Sequence, residues 1–289
     1  MIKILYDCDN TIGIPGKDID DGLALLYLLG SEKVELKGVT TTFGNSSVEE
    51  VFQNTKAMFK ELNINIPLFR GGESQFNRKS EAAEFLARKA AENPGEFTLL
   101  ATGALTNLYA AYELDNKFFD NLKNIVLMGG ITKPLIINEM NLDELNFSCD
   151  AVASHKVLNS NCKVSILTGH ICLQALFGRE EIEKLELNKE NRIYRYIKKN
   201  MIPWCEFIEK TFGIWGFYNW DVVAAVYVTN PELFQHNYQY IVSSIEDLSK
   251  GYLRIDEPTE NRGKIDIPQN IVDKELFNKV ILDCWEKVK

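Results

Sequence analysis

The sequence predicts an α/β fold: a mainly parallel, doubly wound (Rossmann-like) sheet with helices on both faces. Short apolar runs that are β-branched or bounded by turn residues alternate with segments of helical spacing, which is typical of successive βαβ units. Acids, amides and glycines follow the predicted strands, and ligands bind beyond those strand ends in a parallel sheet. The 289 residues contain no linker-like tract, so the chain 1–289 is predicted to be a single domain.

Six strands are predicted from the short apolar runs. In chain order they cover residues 2–6, 36–41, 67–69, 98–101, 125–128 and 164–167. Because segments of helical spacing lie between them, these strands are expected to run parallel in one sheet.

Helices are predicted between and after these strands. Residues 20–29 are apolar on nearly all sides, which is typical of a buried helix. The amphipathic segments cover residues 48–62, 80–93, 107–112 and 149–158. The pattern changes after Gly178, where residues 180–212 are mostly helical with mixed charge; two later helices cover 221–228 and 274–288. This change predicts a helical insertion near 180–218.

Composition argues against several classes of partner. The net charge is −9 and no basic block is present, so binding to nucleic acid or to an anionic membrane is not expected. No apolar run approaches the roughly 18 residues that span a bilayer. None of the six cysteines forms a CxxC pair and no secretory signal precedes them, which predicts free thiols in a reducing cytoplasm.

The stretch "ILYDCDNTIGIPGKDIDDGLALLYLL", residues 4–29, places four carboxylates around the end of the first strand. Asp7 and Asp9 follow the strand, and Asp20 and Asp21 begin the next helix. Capping of that helix would explain only one of the four acids. Calcium prefers several oxygen ligands at a flexible site, and a cation would offset the mutual repulsion of the acids. Glycines in the intervening loop would let it fold back and bring the two pairs together.

The first pair of acids has a second interpretation. An apolar strand followed by Asp-x-Asp-x-Thr resembles the first motif of the haloacid-dehalogenase superfamily, in which Asp7 would be the nucleophile, Asp9 the general acid and Mg²⁺ the partner. No Gly-Asp-x-x-x-Asp segment follows a later strand to complete that metal site, and Asp20 and Asp21 would have no role. A phosphatase is therefore the weaker alternative.

The order of motifs resembles the nucleoside hydrolases of the inosine–uridine-preferring type. Their Asp-x-Asp-x-Gly-x-Asp-Asp signature appears here as Asp7, Asp9, Asp20 and Asp21, with extra residues in the loop. The further matches, in chain order, are "GVTTTFGN", "LLATGALTNL", "VLMGG", "NEMNLDELN" and "WDVVAA". The resemblance covers most of the chain and implies hydrolysis of the N-glycosidic bond of ribonucleosides, giving free base and ribose. A protein that binds nucleosides without turning them over is the alternative from a different class.

The resemblance also implies a calcium site. Ca²⁺ would be held by Asp9, Asp21, Asp221 and the backbone carbonyl of Thr102, all of which are hard oxygen donors. Asp9 would in addition be the general base that acts on a water bound to that ion. Asp7 would orient the metal loop from behind.

Contacts to the sugar are implied in the same way. Asp20 and Asn146 would bind the ribose 2′ and 3′ hydroxyls, with Asn45 close by. Asn138 and Glu144 would take the 5′ hydroxyl. The substrate would be a small-molecule nucleoside, and the resemblance implies a homo-oligomer, either a dimer or a tetramer.

Two positions depart from the family pattern. The loop between Asp9 and Asp20 is longer than usual, which makes Asp18 a rival for the role of Asp20. The late position that is often histidine is Trp220 here, which resembles the purine-preferring members, where a tryptophan stacks on the base. Purine nucleosides are therefore the expected substrates.

Overall fold

The computed structural model describes residues 1–188, 190–257 and 263–288. Residue 189 of the predicted helical insertion lies outside the described residues. So do residues 258–262 and 289 of the predicted domain.

A mainly parallel sheet of eight strands forms the centre of the described chain. The described residues form twelve strands, of which β6 pairs with β7 and β9 with β10 outside this sheet. They are β1 (Ile2–Cys8), β2 (Val34–Thr41), β3 (Leu68–Phe69), β4 (Phe97–Ala101), β5 (Asn124–Met128), β6 (Leu135–Ile137), β7 (Met140–Leu142), β8 (Val164–Leu167), β9 (Leu176–Phe177), β10 (Phe217–Tyr218), β11 (Tyr238–Gln239) and β12 (Ile265–Asp266). The order across the sheet is β3-β2-β1-β4-β5-β8-β12-β11. Only its edge strand β11 is antiparallel to its neighbour, so the predicted fold class is confirmed.

Helices connect most of the strands of this sheet. They are α1 (Asp20–Gly30), α2 (Val48–Leu62), α3 (Glu81–Glu92), α4 (Thr106–Leu114), α5 (Ala151–Leu158), α6 (Gly169–Cys172), α7 (Arg179–Leu187), α8 (Arg192–Phe212), α9 (Trp220–Thr229), α10 (Ile245–Leu248) and α11 (Lys274–Glu286). Short 3₁₀ turns occupy Ser148–Asp150 and Pro231–Leu233. The predicted helices therefore all have counterparts among the described residues.

Alternate side chains of the central strands enter two separate hydrophobic clusters. In β1, Ile4 and Tyr6 pack in one cluster and Leu5 packs in the other. The first cluster takes in side chains of α1, α9 and α11, and the second takes in side chains of α3, α4 and α5. Helices thus cover both faces, as a parallel sheet requires.

The predicted helical insertion consists of two helices rather than one continuous segment. α7 ends at Leu187, and Asn191 begins α8 by accepting hydrogen bonds from the backbone N–H groups of Ile193 and Tyr194, at 2.9 and 3.0 Å. Pro203 lies inside α8, where it removes one backbone donor from the helix.

The long loop after β1 packs against two helices. The side-chain amide of Asn54 in α2 donates to the backbone carbonyl of Ile12 at 3.2 Å. Gly13 has a φ of +91° and lies against Asn200 of α8, so closely that a β-carbon there would come within 2.9 Å of the Asn200 Oδ1 atom. The loop at residues 10–18 is therefore fixed on both sides.

Two further predictions concern the thiols and membranes. All six cysteines lie in the described residues and are free, which confirms the predicted thiols. None of the described helices is both long enough and apolar enough to cross a bilayer.

Candidate active site

A cavity of about 190 Å³ opens at the carboxyl ends of the central strands. β1 and β4 are neighbours in the sheet, and the strand order runs outward from them in opposite directions. Such a reversal is where open parallel sheets bind ligands. Loops after β1, β2, β4, β5 and β8 approach this point, and the lining includes Asp20, Asn45, Thr102, Glu144, Asn146 and Asp221.

Asp9 is fully buried directly after β1. Its Oδ2 accepts a hydrogen bond from the backbone N–H of Asn45 at 2.5 Å, and its Oδ1 has no partner among the described residues. A β-carbon on Gly44 would come within 2.3 Å of Oδ2, and one on Gly103 would come within 2.8 Å of Oδ1. The two glycines therefore let the backbone close around this carboxylate. Asp9 does not itself line the cavity, whereas Asn45, whose backbone N–H it accepts, does.

Asp21 lies in the first turn of α1, where the helix dipole favours negative charge. The Thr102 hydroxyl donates to Asp21 Oδ1 at 2.7 Å, and the Tyr6 hydroxyl donates to the Asp21 backbone carbonyl at 3.1 Å. The Thr102 backbone N–H donates to the Asp7 carbonyl at 2.9 Å, which joins the end of β1 to the loop after β4. The ends of β1 and β4 and the start of α1 therefore meet at one point.

Three carboxylates are close enough to share one cation. Oxygen atoms of Asp20, Asp21 and Asp221 lie within 4.8 Å of one another, and all three residues are buried. Asp20 Oδ2 also accepts from the backbone N–H of Asp221 at 2.9 Å. This group includes Asp20, which the resemblance assigns to the ribose, and leaves out Asp9. The predicted ligand set and the observed group thus share Asp21 and Asp221.

Burial makes the charged forms of these acids unfavourable. Loss of solvation is the main cause that raises the pKa of Asp9, to about 7, with repulsion from Asp20 adding to it. Desolvation likewise raises the pKa of Asp20, and raises those of Asp21 and Asp221 well above the usual range. No described lysine or arginine forms an ion pair with these acids. Together with the free oxygen of Asp9, this donor set fits a hard cation.

Asp7 lies behind the acids and away from the cavity. Its Oδ1 accepts hydrogen bonds from the Thr40 hydroxyl at 2.5 Å and from the Asn107 side-chain amide at 2.8 Å. The residue is fully buried, and desolvation raises its pKa to about 7. A phosphatase would need Asp7 as a nucleophile facing its substrate, and this placement does not provide that.

The cavity wall also carries Glu144 and Asn146, two of the residues assigned to the sugar. The Asn146 side-chain N–H₂ group donates to the Thr102 carbonyl at 2.9 Å and to the Met128 carbonyl at 3.1 Å. Asn146 thereby contacts the same carbonyl that is predicted to bind calcium. Both Glu144 oxygens accept backbone N–H groups, among them those of Gly130 at 3.1 Å and Phe147 at 2.9 Å. Glu144 is thus held rigidly at the cavity wall.

Asn138 lies outside the cavity. It occupies the tip of the β6–β7 hairpin, where Asn138 and Glu139 have φ angles of 45° and 66°, as in a type I′ turn. Its side-chain amide donates to the backbone carbonyl of Phe212 at the end of α8, at 2.7 Å. A contact with the 5′ hydroxyl would therefore require the hairpin to move.

Asn138→Ala is expected to raise KM less than about 10-fold and to leave kcat nearly unchanged. The substitution removes one hydrogen bond to α8, which is worth about 0.5–1.5 kcal/mol. Steady-state kinetics with inosine measure both constants, and Asn141→Ala on the neighbouring strand β7 is a matched control. A folded Asn138→Ala enzyme with a loss of kcat comparable to that of an Asp9 variant would contradict this placement.

Asp18, the rival of Asp20, ends the long loop. Its Oδ1 accepts the backbone N–H of Ile19 at 2.7 Å, and its carbonyl accepts the Thr11 hydroxyl at 2.8 Å. Asp18 and Asp20 both line the cavity, but only Asp20 belongs to the three-carboxylate group. Asp18 nevertheless lies beside Asp20: burial raises the pKa of Asp18 well above its usual range, and the negative charge of Asp20 adds to this.

Trp220 forms part of two cavities. It is the first residue of α9, is half-buried, and lies beside Tyr218 with ring centroids 5.4 Å apart. Besides the cavity above the acids, it lines a second cavity of about 110 Å³ next to α8. The sequence did not predict this second cavity. Trp204, which lines it from α8, lies in a segment that contains none of the family motifs.

Comparisons with known proteins agree on one family. The sequence model described as inosine-uridine preferring nucleoside hydrolase matches residues 4–279. An inosine-uridine preferring nucleoside hydrolase of Leishmania major is 30% identical, over 79% of this chain and 79% of that protein. Uridine nucleosidase 1 of Arabidopsis thaliana is 27% identical, over 88% of this chain and 82% of the relative.

Solved structures show the same fold. A purine-preferring ribonucleoside hydrolase from Gardnerella vaginalis superposes with a TM-score of 0.85 at 20% identity, covering 99% of this chain and 98% of that one. The structure of an inosine-uridine preferring nucleoside hydrolase from Bacillus anthracis superposes with a TM-score of 0.80 at 18% identity, with 100% of both chains covered. The chain therefore belongs to the family of inosine-uridine preferring nucleoside hydrolases, enzymes that cleave the N-glycosidic bond of ribonucleosides.

Proposed function

We propose that this protein is a calcium-dependent ribonucleoside hydrolase with a preference for purine nucleosides. The observation that carries the proposal is the group of buried carboxylates of Asp20, Asp21 and Asp221 beside the cavity, which has no cationic partner among the described residues, together with the free oxygen of Asp9. Asp9, Asp21, Asp221 and the Thr102 carbonyl would hold the ion. When bound, the cation acts as a Lewis acid that makes water a better nucleophile near neutral pH.

The residues of the cavity suit the bond that is broken. As the bond between C1′ and the base nitrogen breaks, its electron pair goes to the base and positive charge develops on the ribosyl group. The carboxylates of Asp20, Asp221 and Glu144 stabilise that charge. Asp9 would accept the proton of the attacking water as the general base.

The sugar is oriented by hydrogen bonds. The Asn146 side-chain N–H₂ group already donates to two backbone carbonyls, so its Oδ1 is the atom that would accept from a ribose hydroxyl. Asp20 would accept from the other hydroxyl. A 2′-deoxynucleoside would leave one of these acceptors without a donor, and slower turnover of deoxynucleosides is expected.

Release of free ribose tests the proposal directly. Purified protein with calcium is incubated with inosine, and reducing sugar is measured; a phosphomonoester is run in parallel for phosphate release. Ribose release that depends on the ion supports the proposal. Nucleoside binding without ribose would favour a binding protein, and phosphate release would favour the phosphatase.

The preference for purines rests on Trp220. An indole against the base can stabilise a purine as its ring becomes protonated, in the manner of a cation–π contact. The family includes a uridine nucleosidase as well as a purine-preferring hydrolase, so the preference depends on residues that differ among its members.

Trp220→Ala is expected to lower kcat/KM for inosine by about 2- to 30-fold, from a contact worth roughly 0.5–2 kcal/mol. Calcium affinity should be unchanged, because Asp221 keeps its side chain. Wild-type kcat/KM should be higher for inosine, adenosine or guanosine than for uridine or cytidine. Trp215→Ala is the matched control, since Trp215 lines neither cavity. Equal or better turnover of uridine by the wild type would refute the preference.

A homo-oligomer, as a dimer or tetramer, is part of the same proposal. Its support is the resemblance to the family. Light scattering of the purified protein in solution measures the mass, and a monomeric mass near 33.0 kDa would contradict this part alone.

A further inference from the structure

We propose that the segment after α10, residues 248–253 and called the support segment below, positions Glu144 for the 5′ hydroxyl of the nucleoside, and that Gly251 makes this contact possible. The inference rests on the proposed function, which assigns Glu144 to the sugar. Gly251 belongs to none of the motifs that carry the family resemblance. It lies more than a hundred residues from Glu144 in the chain, so only the fold brings the two together.

Gly251 lies against most of the length of the Glu144 side chain. A β-carbon on Gly251 would come within 2.3 Å of both Cβ and Oε2 of Glu144, and within 2.5 Å of its Cγ. Gly251 is buried and has a φ of +69°, a left-handed conformation that glycine adopts without steric cost. The absence of a side chain at position 251 therefore lets the backbone of the support segment reach Glu144.

Backbone N–H groups fix the two oxygens of Glu144. Oε1 accepts from Gly130 at 3.1 Å, and Oε2 accepts from Ser148 at 3.0 Å. The Phe147 N–H donates to both oxygens, at 2.9 and 3.1 Å. These donors and the backbone of Gly251 together confine the side chain. A carboxylate confined in this way accepts a hydrogen bond from a sugar hydroxyl only over a narrow range of positions.

The support segment is itself fixed to the loop after β5, which lines the active-site cavity. The Ile131 N–H donates to the Gly251 carbonyl at 2.8 Å, and the Leu253 N–H donates to the Ile131 carbonyl at 2.8 Å. Leu253 is buried in the second hydrophobic cluster with side chains of α5. The same loop supplies Gly130, the donor to Glu144, so connected contacts fix both the segment and the carboxylate.

A side chain at position 251 would disturb this arrangement. Rotation of a flexible end would not make room for it, because the Cβ of Glu144 is among the atoms that a new β-carbon would meet. Either Glu144 or the support segment must then shift. In both cases the carboxylate loses the position from which it would accept from the 5′ hydroxyl.

The test compares kcat/KM for inosine with kcat/KM for 5′-deoxyinosine, which lacks only the 5′ hydroxyl. In the wild type the ratio of the two is expected to be about 10- to 100-fold, the worth of a hydrogen bond to a charged group. Gly251→Ala is expected to lower this ratio at least about 3-fold, and Glu144→Ala to bring it close to about 1. A general structural defect would slow both substrates alike and leave the ratio unchanged.

Gly95→Ala is the matched control. Gly95 has a φ of +76°, close to that of Gly251, but a β-carbon there would meet no atom within 4 Å. The backbone strain of the substitution is therefore similar at the two positions, and only position 251 adds the contact with Glu144. Gly95→Ala should keep the wild-type ratio, and calcium affinity should be unchanged in both variants. Tm is measured for each to record the strain.

A second variant keeps the test decisive if Gly251→Ala does not fold. Leu253→Ala loosens the support segment without adding an atom, because the Leu253 side chain packs against Gly130. It should also lower the ratio. Added to Glu144→Ala, the same substitution should change the ratio no further, because its effect on the 5′ hydroxyl acts through Glu144. An unchanged ratio in either folded variant overturns the inference.

Failure of the proposed function would look different. A wild-type protein that releases no ribose from any nucleoside refutes the hydrolase. The ratio is then taken from the dissociation constants of inosine and 5′-deoxyinosine, and its fall in Gly251→Ala would still support the positioning role. A wild type that hydrolyses both nucleosides equally well leaves the hydrolase standing and overturns the inference. Absence of both turnover and binding overturns the two together.

Discussion

Replacement of Asp9 by asparagine is expected to lower kcat for inosine by about 10²–10⁴-fold, because it removes the general base. Weaker calcium binding would add to this loss, since one carboxylate ligand is gone. The calcium-free protein is expected to become more stable at pH 8. Burial raises the pKa of Asp9 to about 7, so the ionised carboxylate disfavours the fold, and an amide carries no such cost. Activity and Tm should therefore change in opposite directions.

Asp7→Asn is the matched control for this experiment. Asp7 lies two residues earlier, is equally buried, and has a pKa that is also raised to about 7 by desolvation. The same chemical change there should give a similar gain in Tm with a much smaller loss of kcat, since Asp7 accepts hydrogen bonds from Thr40 and Asn107 and is not among the proposed ion ligands. An Asp9→Asn enzyme that kept more activity than Asp7→Asn would refute the role of Asp9 as base.

Removal of calcium is expected to abolish turnover and to lower Tm, and the drop in Tm should be larger at pH 8 than at pH 5.5. Raised pKa values mean that the calcium-free fold keeps protons on its acids that the unfolded chain has already lost. The free energy of unfolding of the calcium-free protein should therefore fall as pH rises from about 4 to about 7. Calcium should also bind more tightly at the higher pH, because fewer protons compete with it for the carboxylates.

Thermal denaturation with chelator and with excess calcium, at both pH values, measures this effect. Calcium at 100 times its Kd would stabilise the fold by about 2.7 kcal/mol. Elemental analysis of the purified protein should find one calcium per chain, and magnesium is the control for ion identity. Full turnover by demonstrably metal-free protein, or an equal shift in Tm at both pH values, would contradict the proposal.

The parallel sheet could be predicted from sequence because its strands are buried on both faces. A run such as that of β5 is apolar at successive positions, and its flanking helices have clear periodicity. The pairs β6–β7, β9–β10 and β11–β12 were not predicted. Their strands have two or three residues, too few to show any period.

The acids could be located from sequence, but not their order in space. Asp9, Asp20 and Asp21 precede or begin one helix, and Asp221 joins them through α9, whose packing on α1 no local pattern reveals. Spacing alone also suggested a cavity position for Asn138, whereas the turn geometry of the hairpin holds it at α8. The position of Trp204 at a cavity could not be predicted either, because that cavity forms only where α8 meets residues distant in the chain.

The long loop after β1 has a consequence for evolution and engineering. It begins beside Asp9, rests on α8 at Asn200 through Gly13, and ends at Asp18 in the wall shared by both cavities. Substitutions in α8 that change the shape of the second cavity would therefore alter the contacts of the loop that leads from Asp9 to Asp18. Libraries that vary α8 should therefore vary residues 10–18 with it.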